Sequence, residues 1–145
     1  MINLPMKRRV FAVTLGVLAA LIAWAQDTTA KKLTPDELKA LAGGDQKFFF
    51  LDVREPKELE EQGTLRGYVN IPMGELEKRL AEIPKNVLVV AACSRAIRAA
   101  RAAAILEKNG YKQIQICAMN EYKEKGYDLI YPKAPQTPEE KPASR

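Results

Sequence analysis

One thiol in this chain stands where a nucleophile could act. Cys93 closes an apolar run, Val87 to Ala92, and is followed by Ser94, Arg95, Ala96, Ile97 and Arg98 before an Ala-rich segment begins. The pattern reads strand, loop, helix, with sulfur at the junction. In an open α/β sheet the carboxyl ends of parallel strands border the crevice where ligands bind. A helix that starts just past the loop aims free backbone N–H groups and the positive end of its dipole at that crevice. Arg95 and Arg98 add full positive charge. Such surroundings stabilise a thiolate, and they also hold a small anion. Arg98 is the better candidate for steering that anion. Arg95 reads equally well as a solvated side chain, and Arg101, one helical turn beyond Arg98, as part of a polar face. A cysteine at a strand end is often only a small buried hydrophobe, but a purely structural one has no need of the arginines.

The composition excludes several chemistries. The chain has no histidine and two cysteines, Cys93 and Cys117. That removes a Cys-His dyad, a Ser-His-Asp triad and any His-bearing zinc site. No metal or organic cofactor is called for. No basic face interleaved with aromatics marks a nucleic-acid surface.

The elements that must position the thiol follow from local signals. Thr34, Pro35 and Glu37 form a helix start, with Thr34 as cap; Leu38 and Leu41 give the helix an inner face, and Gly43 and Gly44 end it. Lys47 to Asp52 is an apolar run suited to a strand covered on both faces. Pro56 opens a short helix to about Gln62. Tyr68 to Ile71 is a brief strand stopped by Pro72. Leu76, Leu80 and Ile83 fall at i, i+4 and i+7 of a helix from about Gly74 to Ile83. After the strand that leads to Cys93, an Ala-rich helix runs from about Ala99 to Asn109. Gln113 to Ile116 is the next strand, with Cys117 at its end, and Met119 to Lys125 a short helix. The alternation predicts an α/β fold: a mainly parallel central sheet with helices on both faces. Asp52, Asn70, Cys93 and Cys117 then share one rim. Asp52 and Arg54 read as an ion pair bracing the loop, the alternative being an ordinary surface pair worth at most about 1 kcal/mol.

At 145 residues the chain suits one domain with its own core. Lys7, Arg8 and Arg9, then the uncharged stretch Val10 to Trp24, then a small residue on each side of Trp24, read as a secretory signal peptide over residues 1–25. The alternative is an uncleaved N-terminal anchor, the one contact with a membrane. Residues 1–25 carry three basic groups and no acid, so their removal lowers the formal charge from +5 to +2. Residues 26–32 read as a linker, 33–130 as the domain, and the Pro-rich 131–145 as a disordered tail. Export places the protein in the bacterial envelope, periplasmic or secreted.

Four segments resemble the rhodanese family. L-D-V-R-E-P at 51–56 is similar to its entry motif, and G-T-L-R-G-Y-V-N-I-P at 63–72 to its G-H-I-x-G-A-x-N-I-P stretch. C-S-R-A-I-R at 93–98 resembles the six-residue active-site loop, and Y-K-E-K-G-Y at 122–127 the closing W-x-x-x-G-Y. The resemblance implies that the strand ending at Cys93 lies between those ending at Cys117 and Asp52. It also implies sulfurtransferase chemistry through a persulfide on Cys93, with residues 94–98 holding the anion. The implied partners are a small anionic sulfur donor such as thiosulfate and a thiol or cyanide-type acceptor, with a protein partner possible as well. With those strands adjacent, Cys117 would sit beside Cys93, either closing a disulfide or releasing sulfur from the persulfide.

The chain departs from the family pattern near the sulfur. Ala96 replaces a usual Gly, Ala99 a frequent Ser or Thr, Thr64 a His, and Cys117 with Ala118 a Gly pair. If position 96 needs positive φ, Ala strains the loop by roughly 1–2 kcal/mol. The Ala96 and Ala99 departures favour the alternative of a catalytically weak sulfur-carrier or partner-binding module. A phosphatase of the same fold is disfavoured, because its loop is one residue longer and needs Arg where Ala99 stands.

Overall fold

A computed structural model describes residues 28–133. The proposed signal peptide and all but the first three residues of the proposed tail lie outside them. Ten elements follow in order: β1 (Lys31–Lys32), α1 (Pro35–Gly43), β2 (Phe48–Asp52), α2 (Pro56–Gln62), β3 (Val69–Asn70), a 3₁₀ segment (Met73–Glu82), β4 (Leu88–Cys93), α3 (Ile97–Lys108), β5 (Ile114–Ala118) and α4 (Met119–Glu124).

The sheet is all parallel, in the order β1-β5-β4-β2-β3. β4 lies at its centre because every residue from Leu88 to Cys93 is apolar enough to be buried on both faces. Side chains alternate along a strand. Val89, Ala91 and Cys93 therefore face one core, with α3 and the 3₁₀ segment, while Leu88, Val90 and Ala92 face the other, with Leu38 of α1 and Tyr122 of α4. The strand neighbours expected of the rhodanese resemblance are present, with β4 between β5 and β2.

The helix ends answer to the residues that predicted them. Thr34 caps α1 in a reciprocal box with Glu37, and Pro35 occupies the first turn. Ala99, Ala102 and Ala103 of α3 are fully buried, and their small side chains let the helix lie close against β4 and β5. α3 begins two residues earlier than its alanine run suggests.

Two other elements differ from the sequence reading. The segment with Leu76, Leu80 and Ile83 is 3₁₀ rather than α, and its course is broken at Arg79 (φ −116°, ψ 16°). Tyr111 Oη donates to the carbonyls of both Leu80 (2.8 Å) and Ile83 (2.7 Å) and fixes its end. The other difference lies in the stretch read as linker. Lys31 and Lys32 pair with Gln115 and Ile116, and Leu33 N–H extends the ladder to Ile116 O at 2.8 Å. Just before them, Thr28 Oγ1 (2.8 Å), Thr29 N (3.1 Å) and Thr29 Oγ1 (3.0 Å) all donate to Glu107 Oε1 at the far end of α3.

Candidate active site

Cys93 is the last residue of the central strand and is 1 % exposed. The chain leaves β4 through Ser94 and Arg95, turns at Ala96 and enters α3 at Ile97. Ala96 sits at φ 67°, ψ −7°, the only non-glycine residue with positive φ among those described. This left-handed step starts the helix at once, with Ala96 O accepting from Ala100 N at 2.9 Å. In the first turn of that helix Ala99 N–H donates to Cys93 Sγ at 3.3 Å. The cost to a residue with a Cβ is about 1–2 kcal/mol. No acidic residue lies in the first turn of α3, so nothing on that turn opposes the positive end of its dipole.

Neighbouring elements hold the loop from outside. Asn120 N, at the start of α4, donates to Ser94 O at 3.1 Å. Ser94 Oγ lies 3.4 Å from Gln62 Oε1 at the end of α2. Ile97 points outward and is 59 % exposed beside the sulfur.

The arginines divide. Arg98 Nη1 and Nη2 each donate to one oxygen of Glu58 at 2.7 Å. The same carboxylate accepts from Glu55 N at 2.9 Å, within the first turn of α2. These contacts, Arg98 foremost, hold the Glu58 carboxyl down at about 2. Arg98 in turn has its pKa raised, first by Glu58 and in smaller part by the nearby Cys93 sulfur. The guanidinium that the sequence singled out for an incoming anion is thus already paired with a carboxylate. Arg95 and Arg101 are exposed, and neither has an ion-pair partner among the described residues.

Asp52 and Arg54 do form an ion pair, but not at the surface: both side chains are fully buried. Asp52 accepts from Arg54 Nε (2.9 Å), Arg54 Nη2 (2.7 Å), Arg54 N (3.2 Å) and Thr64 Oγ1 (2.8 Å). Arg54 Nη2 also donates to Gly63 O at 2.8 Å. Asn70 Nδ2 closes the cluster on the carbonyls of Asp52 (2.9 Å) and Arg54 (2.8 Å). The network ties the ends of β2 and β3 to the segment after α2, and so braces the rim. Thr64, standing where the family motif has His, is one of its members.

Cys117 does not join the site. Across the β4–β5 pair, Ala92 is in register with Cys117 and Cys93 with Ala118, so the two thiols point to opposite faces of the sheet. Cys93 packs with Ala96 and Ala99, and Cys117 with Phe50, Val90, Met119 and Tyr122. Both cysteines are free, and burial pushes the Cys117 thiol well up. Diverging Cβ directions rule out a resting disulfide, so the expectation of a Cys93–Cys117 pair is corrected.

Sequence reasoning missed Glu58 and Gln62; it placed Asn70 on the rim and Thr64 at the family's His position, but gave neither its partners in the Asp52–Arg54 network. Glu58 carries a local signal, three residues after Glu55 at a Pro-opened helix, but its partner is forty positions away.

Comparison with known proteins agrees with this fold. The Rhodanese-like domain family matches residues 34–121. YqhL of Bacillus subtilis (strain 168), an uncharacterized protein, is 39 % identical over 89 residues, 61 % of this chain and 68 % of that protein. YtwF of the same organism, described as a putative sulfurtransferase, is 26 % identical over 86 residues, 59 % of this chain and 82 % of that protein. The crystal structure of a rhodanese-related protein from Thermoplasma volcanium superposes with TM-score 0.63 at 24 % identity, over 70 % of this chain and 99 % of that one. It supports the fold. Since the family match covers more than half of its length, the chain belongs to the rhodanese-like domain family.

Proposed function

We propose that this protein is an exported sulfurtransferase. It takes sulfane sulfur from thiosulfate or a similar donor onto Cys93 and passes it to a thiophilic acceptor. The observation that carries the reading is the sulfur of Cys93 receiving Ala99 N–H at the mouth of an acid-free helix start. Attack of the Cys93 thiolate on the outer sulfur of thiosulfate forms the Cys93 S–S bond and breaks the donor's S–S bond, with sulfite leaving on its electron pair. Cyanide or a thiolate then takes the outer sulfur and returns the Cys93 thiolate. Loop amides and the α3 dipole stabilise the anionic persulfide between the two steps. Export rests on the pattern of residues 1–25.

Loading the protein with thiosulfate and weighing the Cys93 peptide tests this reading. The peptide is expected to gain one sulfur atom, cyanide to remove it as thiocyanate, and Cys93→Ser to do neither. Background turnover with no added sulfur would overturn it.

The strained Ala96 favours a second reading, a sulfur carrier that loads but turns over slowly. Stable loading with cyanide turnover no faster than that of Cys93→Ser would select it.

A further inference from the structure

The Cys93 mouth holds more cations in sequence than it offers in space. Both Nη groups of Arg98 are occupied by Glu58, whose carboxylate is fixed from behind by Glu55 N. The pair is partly buried, with side-chain exposures of 34 % and 26 %, so water and salt screen it less than a surface pair. α2 also reaches the other end of the loop through Gln62 and Ser94. One face of α2, Glu58 and Gln62 at i and i+4, thus lies along the cysteine loop. Of the two loop arginines only Arg95 keeps its charge uncompensated among the described residues.

We propose that Glu58 is a specificity-determining residue that acts through Arg98. By compensating one of the two loop cations, it sets the mouth for sulfur donors carrying a single negative charge and weakens the hold on doubly charged ones. The assignment rests on the sulfur-transfer reading above and refines its donor class. The Glu58 carboxyl stays ionised across the working pH range, so the compensation is permanent.

Thiosulfate and methanethiosulfonate form a matched pair of probes. Both present a terminal sulfur on a sulfonyl centre; the first is a dianion and the second a monoanion. With thiosulfate, Cys93 sulfur gains the outer sulfur and sulfite leaves. With methanethiosulfonate the same bond forms and methanesulfinate leaves, and charge balances in each case. In Glu58→Gln the amide no longer neutralises Arg98. The expected result is a fall in thiosulfate KM of about 3- to 10-fold with kcat within about twofold, as befits one added charge at short range. The methanethiosulfonate KM changes less, and the new thiosulfate advantage shrinks with added salt. Replacing Arg98 by Gln in the Glu58→Gln background erases the advantage.

A merely structural Glu58 would give a different pattern: both donors lose equally, through kcat, and the loss follows the fraction of protein folded. That result, or an unchanged ratio between donors, overturns the assignment. Should Glu58→Gln fail to fold, Arg95→Gln supplies the second reading. As the one uncompensated cation of the loop, its loss must raise the thiosulfate KM more than the methanethiosulfonate KM, and equal effects overturn the proposal. Peptide mass separates the two levels of argument. Cys93 that takes sulfur from neither donor sinks the transfer reading and this one with it. Cys93 that loads normally while the donor ratio stays fixed sinks only the role of Glu58.

Discussion

Ala96 carries a Cβ in a conformation that favours glycine, and its cost falls on the loop that shapes the site. Ala96→Gly relieves left-handed strain but loosens the unfolded chain, so the expected net gain is about 0.5–1 kcal/mol. Urea denaturation reads it as a higher midpoint at unchanged slope. If the strain also displaces the Ala99 N–H that donates to Cys93 Sγ, sulfur turnover rises in the same variant. Asp52 is the opposite case. Its carboxylate is the one acidic partner of a fully buried guanidinium, and removing one member of such a pair leaves an uncompensated buried charge. Asp52→Ala is expected to cost about 3–5 kcal/mol by denaturant unfolding. Both residues were visible in the sequence, Ala96 as a departure from the family loop and Asp52 as a rim residue. Their environments were not, because φ at 96 and burial at 52 are set by chain segments that no local pattern names.

Between elements, the Glu58–Arg98 contact ties α2 to the first turn of α3. The linkage has a definite sign. The folded Glu58 carboxyl lies at about 2, below its ordinary value of 4.5. Its stabilisation is therefore complete above about pH 4.5 and is lost as pH falls through about 2. Allowing for solvent screening, about 1–2 kcal/mol is at stake. Urea unfolding of the wild type and Glu58→Gln should differ by that amount at pH 7 and converge as pH approaches 2; a gap that persists at low pH would mean that the pair contributes nothing. The strands after Lys32 and the α-helices were legible because apolar runs stop abruptly, several at Pro or Gly, and because Thr34, Pro35 and Glu37 spell a helix start; the Lys31–Lys32 strand was not, because two exposed lysines carry no apolar pattern. The 3₁₀ course of Met73–Glu82 was not: i, i+4, i+7 spacing marks a buried side and leaves the winding to the packing of Tyr111.

Across the whole molecule, the parallel sheet separates two cores, and its two sulfurs fall on opposite sides. Cys117→Ala is expected to leave Cys93 sulfur loading intact and to lower stability by about 1–2 kcal/mol through the small cavity it opens. Peptide mass and a melting curve measure the two effects separately; loss of loading would restore Cys117 to the chemistry. The sequence placed both thiols at strand ends but could not orient them, since a one-residue shift in register flips a side chain through the sheet.

The threonines that grip Glu107 tie the start of the sheet to the end of α3 farthest from the sulfur. α3 holds twelve residues, about 18 Å of axis at the usual rise per residue, with Cys93 at one end and Thr28 and Thr29 moored at the other. Thr28 and Thr29 are thus held about one helix length from Cys93. A change in that mooring therefore acts on the end of α3 remote from the reactive sulfur and leaves the sulfur's own surroundings in place.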